Sequence, residues 1–98
     1  MTYHLVVPPM GGTEELRVLE WHKTEGEPVA EDELLVELET EKAVVEVRAP
    51  RACVLRKILV DRGNWALIGP PVAWFSDSAD EALQTEIPAD LSPHWFVI

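Results

Sequence analysis

At 98 residues, 47% of them hydrophobic, the chain is long enough for one small domain with a single modest core, too short for a large catalytic cleft and too apolar for disorder throughout. Eighteen acidic residues against eight basic ones give a net charge of −10, which repels phosphate backbones and anionic membrane surfaces, so neither nucleic acid nor membrane is an expected partner. Cys53 is the only cysteine, which excludes an internal disulfide, a thiolate zinc cage and any dithiol redox centre built from the protein itself. No apolar run approaches the length of a membrane span, and the start MTYHLVVPPM has no basic segment followed by a long apolar one, so a soluble, cytoplasmic protein is expected.

In chain order, the predicted strands are 4–8 (HLVVP), 16–22 (LRVLEWH), 34–38 (LLVEL), 43–47 (AVVEV), 54–60 (VLRKILV) and 72–75 (VAWF). Clusters with turn chemistry, among them TEGEPVAED and DRGNWALIGPP, separate them. No stretch before residue 76 keeps the apolar spacing of a helix, so the expected class is all-β, closed or sandwiched to hide its sheet edges. A shift of 37 residues superposes Val18 on Leu55, Trp21 on Ile58, Gly26 on Gly63 and Leu35 on Val72. That is either chance similarity between amphipathic segments or the mark of two halves facing each other. Both glycines end a strand where positive φ is expected.

The charge divides the chain. Residues 1–75 hold 13 acids and all 8 bases and form the expected domain; residues 76–98, SDSADEALQTEIPADLSPHWFVI, hold 5 acids and no base and form a linker-like tail. Ser78 and Glu81 are spaced like a helix capping box, but Pro88 limits any helix to a few turns. The apolar end, HWFVI, is expected to fold back onto the domain's own surface rather than stand in water.

The stretch ELETEKAVVEV, residues 37–47, sets one lysine between two alternating runs. Residues 35–39 and 43–47 read as antiparallel strands joined by a tight turn, TEKA, with Glu41 and Lys42 at its tip. Period two puts Val36, Leu38, Val45 and Val47 inside and Glu37 and Glu39 outside. The other lysines, Lys23 and Lys57, sit in a charged turn and on a strand. Spacing alone leaves two readings of Lys42: a solvated turn residue, as most turn lysines are, or an attachment point.

Residues 5–75 resemble a lipoyl domain of the 2-oxo-acid dehydrogenase complexes. The resemblance is carried by Pro9-Met10, EW at 20–21, EGEPV at 25–29, ELETEKAVVEV at 37–47, AP at 49–50, ILV at 58–60, Gly63 and IGPPVA at 68–73. It implies a flattened barrel of two four-stranded antiparallel sheets with a quasi-twofold axis, a barrel-sandwich hybrid, with the lysine at one end and the termini at the other. Lys42 is then the residue that carries lipoate in amide linkage, with Glu41 and Ala43 helping the attaching enzyme to read the turn. Related biotin carriers usually flank their lysine with methionines, so Glu41 and Ala43 favour lipoate over biotin; an unmodified barrel serving as an interaction module is the other alternative. Leu16, Asp32 and Cys53 stand where glycines are common in the family, which puts the local backbone in question; at Asp32 the left-handed region costs ~1 kcal/mol.

By the same resemblance the chain is not an enzyme but a carrier. Its swinging arm serves a thiamine-diphosphate 2-oxo-acid decarboxylase, an acyltransferase and a dihydrolipoyl dehydrogenase, after a lipoate ligase or transferase has attached the group. Glu37, Glu39 and Glu46 either complement a basic partner or merely solvate the hairpin. No catalytic or metal residue is expected: His4, His22 and His94 are scattered, and Cys53 in its valine-leucine setting reads as a small core residue. Trp21 fits the family's core, and Trp65, Trp74 and Trp95 read as packing residues.

Overall fold

The structure, a computed structural model, describes residues 2–7 and 14–83, and the backbone of 95–97. Nine strands and no helix occur among these residues: β1 Thr2–Val6, β2 Glu15–Trp21, β3 Pro28–Val29, β4 Leu34–Glu39, β5 Val44–Arg48, β6 Cys53–Ile58, β7 Trp65–Leu67, β8 Ala73–Ser76 and β9 Trp95–Val97. One sheet has the order β5-β4-β2-β7 and the other β3-β6-β8-β1-β9. The first eight strands make two four-stranded antiparallel sheets; β9 adds a parallel fifth strand to the edge of β1, with His4 opposite Trp95 and Val6 opposite Val97.

The shift of 37 residues is a real symmetry of the backbone. Val18 faces Leu38 as Leu55 faces Phe75, and Trp21 faces Val36 as Ile58 faces Ala73. Both pairings slip at the same place, between Val18 and Glu20 and between Leu55 and Lys57. Trp65 lies opposite Arg17 as Pro28 lies opposite Val54. Gly26 donates to the carbonyl of Leu55 and Gly63 to that of Val18, each at 2.7 Å, so the turn of each half is clasped by a strand of the other. Their φ values of 93° and 83° are what glycine is needed for. β5 has its counterpart in β1: Val44 faces Glu39 as Thr2 faces Ser76, so the place held by the lysine turn at one end is held by chain leaving β8 and entering β1 at the other.

Alternation along the strands fills the space between the sheets with Leu5, Val18, Leu35, Leu38, Leu55 and Phe75, all fully buried. Val36 joins Leu35 inside because the β4–β5 register shifts between Leu34 and Val36. The symmetry mates Leu16 (0% exposed) and Cys53 (5%) lie in regular strand and simply enlarge the core. Burial pushes the Cys53 thiol up to about 11, so it is a small hydrophobe at neutral pH. Asp32 does take positive φ, 67°, and its amide donates to the carbonyl of Ala49 at 2.7 Å.

Three departures from the sequence expectations have physical causes. The turn-like clusters TEGEPVAED and DRGNWALIGPP contain β3 and β7, because two or three residues in each find partners on β6 and β2 that local composition cannot reveal. The strand expected over 54–60 stops at Ile58, where the amides of Leu59 and Val60 both turn to the one carbonyl of Val72, at 2.9 and 3.3 Å. Beyond β8 the Ser78 amide donates to the Glu81 carboxylate at 2.9 Å, half of the expected capping box, but residues 77–83 form turns and bends with no helix. Pro9-Met10 and Pro88, together with His94 and Ile98 of the apolar end, lie outside the described residues.

Candidate functional site: the lysine hairpin

The β4–β5 hairpin places Lys42 at the end of the barrel. Its strands are held by Val36, Leu38 and Val47, which are buried, while Glu41, Lys42 and Ala43 are exposed. The turn itself is built by Thr40. Its amide donates to the carbonyl of Ala43 at 2.8 Å, and its buried hydroxyl accepts from the amides of Lys42 (3.3 Å) and Ala43 (3.2 Å). One side chain therefore fixes the backbone on both sides of the lysine and leaves the lysine side chain on the outside. Beside Glu41, Lys42 and Ala43 the turn thus depends on Thr40, and the sequence signal for such a brace is a hydroxyl residue opening a tight turn.

The carboxylates around the hairpin have separate fates. Glu37 lies 2.7 Å from Nε2 of His22, and Glu39 lies 3.5 Å from Nε of Arg17; both are partly exposed pairs of the kind worth at most about 1 kcal/mol. Glu46 stands opposite Glu37 across the strands and is exposed. Glu41 instead lines a surface cleft of about 350 Å³ together with Glu14, Glu15 and Trp65. Trp65 is 56% exposed, contrary to its reading as a packing residue, because β7 is an edge strand and the Arg17 guanidinium stands 5.7 Å from its ring centroid on the outer face of the sheet. Trp21 does pack against the core, and its indole donates to the carbonyl of Val60 at 2.9 Å.

The histidines are dispersed. His4 is buried in β1, edge-on to Trp74, and His22 is taken up with Glu37. Among the described residues no three His, Cys, Asp or Glu side chains gather as a metal site would require, and no helix is long and apolar enough to cross a membrane. Two carboxylates of the loops flanking β3 are held low: the Thr24 hydroxyl and amide hold Glu27 below the usual range, and the Ala30 amide and Lys23 hold Glu33 below it. These bonds shape the turn before β4.

Two clasped β halves form a barrel-sandwich hybrid, with the braced turn at one end leaving Lys42 exposed. The biotin/lipoyl family model described as "Biotin-requiring enzyme" matches residues 4–75, and the chain belongs to that family. Over 80 residues, 81% of this chain, it is 36% identical to the dihydrolipoyllysine-residue succinyltransferase component of the 2-oxoglutarate dehydrogenase complex of Rickettsia felis. Over 85 residues, 86% of this chain, it is 28% identical to the dihydrolipoyllysine-residue acetyltransferase component of the pyruvate dehydrogenase complex of Staphylococcus epidermidis. The chain spans 20% of the length of each of these relatives. Among solved structures it is similar to the lipoyl domain of the 2-oxoglutarate dehydrogenase complex of Azotobacter vinelandii, at TM-score 0.60 and 35% identity, over 70% of this chain and 86% of that one.

Proposed function

We propose that residues 1–75 are a lipoyl carrier, with lipoate in amide linkage on Nζ of Lys42, that shuttles acyl groups and electrons between the components of a 2-oxo-acid dehydrogenase complex. The observation that carries this reading is the Thr40-braced turn with its exposed lysine. An attaching ligase or transferase must bring an activated carboxyl to one amine among many, and a lysine held at a fixed backbone position on an open end of the barrel suits that demand. Glu41 and Ala43, exposed on either side, are the side chains such an enzyme would read.

When bound, the group supplies a ring disulfide that takes up acyl groups and electrons at the end of a long arm. The chain itself supplies no catalytic residue in this reading. Thr40 holds the backbone at Lys42, so the arm's freedom begins at the lysine side chain itself, and tethering raises the effective concentration of the arm at a decarboxylase, an acyltransferase and a dihydrolipoyl dehydrogenase in turn. Residues 76–98 are the tail of the carrier, tied to the barrel at its start through Arg56, whose guanidinium donates to Ser76 Oγ (2.9 Å) and to the carbonyls of Ser78 (3.2 Å) and Glu81 (2.7 Å).

Intact-mass measurement after incubation with lipoate, ATP and a lipoate ligase tests the reading. One lipoyl increment, lost in Lys42→Ala and not regained when the lysine is moved to position 41 or 43, is expected. A biotin increment, or no increment from a folded protein, overturns it.

A further inference from the structure

On the outer face of the sheet that carries Lys42, four residues stand in one cross-strand row: Val44 opposite Glu39, Glu39 opposite Arg17, Arg17 opposite Trp65. Val44 and Trp65 are each 56% exposed, and Leu67, two residues along β7 on the same face as Trp65, is 64% exposed. The cleft between Glu41 and Trp65 runs on into a second hollow of about 230 Å³ lined by Glu15, Trp65, Ala66 and Leu67. Together they form a trough that begins beside the lysine turn, is rimmed there by Glu14, Glu15 and Glu41, and has the Trp65 indole and Leu67 as its apolar wall.

The fold does not need this apolar wall. In the other half, the positions of Trp65, Leu67 and Arg17 are filled by Pro28, Ala30 and Val54, and the barrel closes there with the same register. A large indole left half in water at an edge strand, against a plain counterpart, points to an occupant. Arg17 stands between Glu39, 3.5 Å from its Nε, and the Trp65 ring, 5.7 Å from its guanidinium carbon. The occupant has to be largely apolar and within reach of Glu41, and the carboxylates of Glu14, Glu15 and Glu41 exclude an anion.

We propose that this trough is a seat for the lipoyl arm of the same molecule, in which the uncharged hydrocarbon chain and ring disulfide lie against Trp65 and Leu67 while no partner is engaged. This rests on the reading of Lys42 as the lipoylated residue. Sulfur against an indole ring is a favourable contact, and an arm tethered next to the trough meets it at high local concentration. Seating withdraws the disulfide from small reductants in solution, and engagement by a partner enzyme lifts it out.

The full chain is labelled at its indole nitrogens and compared before and after lipoylation, with the lipoyl increment verified by mass in the same sample. The Trp65 indole signal, assigned through Trp65→Phe, is expected to shift on lipoylation while the Trp21 signal stays in place. In a second measurement, Trp65→Ala and Leu67→Ser should each speed the reduction of the attached disulfide by a neutral phosphine or thiol, by about twofold if the seat is filled half of the time. A fully lipoylated protein whose Trp65 signal does not move overturns the seat and leaves the lysine reading intact; a protein that takes up no lipoate removes both. If the Trp65 signal ignores lipoylation but shifts with an oligolysine peptide, the trough is a partner's docking site and the proposal is wrong.

Discussion

The two ends of this barrel share one backbone plan and have opposite characters. At the lysine end, Glu39 and Val44 face each other and are joined by a tight turn; at the other, Ser76 and Thr2 face each other in the same register with no connection. The lysine turn is held by a single threonine and exposes everything beyond it. The opposite end is knotted. Tyr3 donates to the Asp77 carboxylate at 2.7 Å, the Arg51 guanidinium stands 4.8 Å over the Tyr3 ring and 3.4 Å from the same carboxylate, and Arg56 gathers the departing chain. Symmetry of the frame therefore does not carry symmetry of use. The frame supplies two equivalent places, and a few side chains make one a display and the other an anchor.

The largest effects are expected in the core, where the two halves should behave alike. Leu38→Ala and its mate Phe75→Ala, both at fully buried positions, should each cost about 2–5 kcal/mol, a large part of a small domain's stability, as read by urea denaturation. A much smaller loss at one of them would mean that only one half bears the fold. Next in size is the anchor: Arg56→Met removes three hydrogen bonds to the tail and should cost about 1–3 kcal/mol, lowering the melting temperature without slowing lipoylation. Deletion of residues 94–98, which removes β9 from the edge of β1, should act in the same direction, with modification of Lys42 unchanged.

Thr40→Val sharpens the contrast from the display side. It removes the hydroxyl that accepts from the amides of Lys42 and Ala43, at a cost of about 1 kcal/mol, and should slow attachment by the ligase more than it lowers stability; Thr40→Ser should restore both. The smallest effect concerns pH. Burial, helped by Asp77, pushes the Tyr3 hydroxyl up to about 12 from its usual 10. The folded state thus favours the neutral phenol, and this contribution is complete below pH 10 and lost as pH rises from there to about 12. Melting temperatures measured from pH 8 to 12 should fall in this window, and Tyr3→Phe should flatten the slope.

The symmetry was legible in sequence because it is written in residues with little freedom. Gly26 and Gly63 must sit where φ is positive, and the pairs Val18 with Leu55 and Leu35 with Val72 must face inward. The hairpin around Lys42 was equally plain, since alternation alone decides which of its residues are wet. What could not be read was anything whose partner is distant in sequence. β3 and β7 exist only because β6 and β2 lie alongside, and the exposure of Trp65 depends on its strand being an edge. Composition marks tryptophan as a core residue, and only the sheet order, with β7 at an edge, leaves this one exposed. Leu16 and Cys53 looked like threats to the backbone, yet two substitutions at symmetry mates in regular strand are absorbed as added core volume.

The facing of Ser76 and Thr2 has a consequence for engineering. Two antiparallel neighbours in hairpin register are already spaced to be bridged, and the Thr-Glu-Lys-Ala loop shows which four residues close that gap in the twin position. A permuted chain that joins Ser76 to Thr2 through the same loop, and opens at an exposed turn away from the clasps at Gly26 and Gly63, would keep every pairing of the two four-stranded sheets. Such a molecule would offer a second lysine at the pole opposite the first, a two-headed carrier made without redesigning its interior.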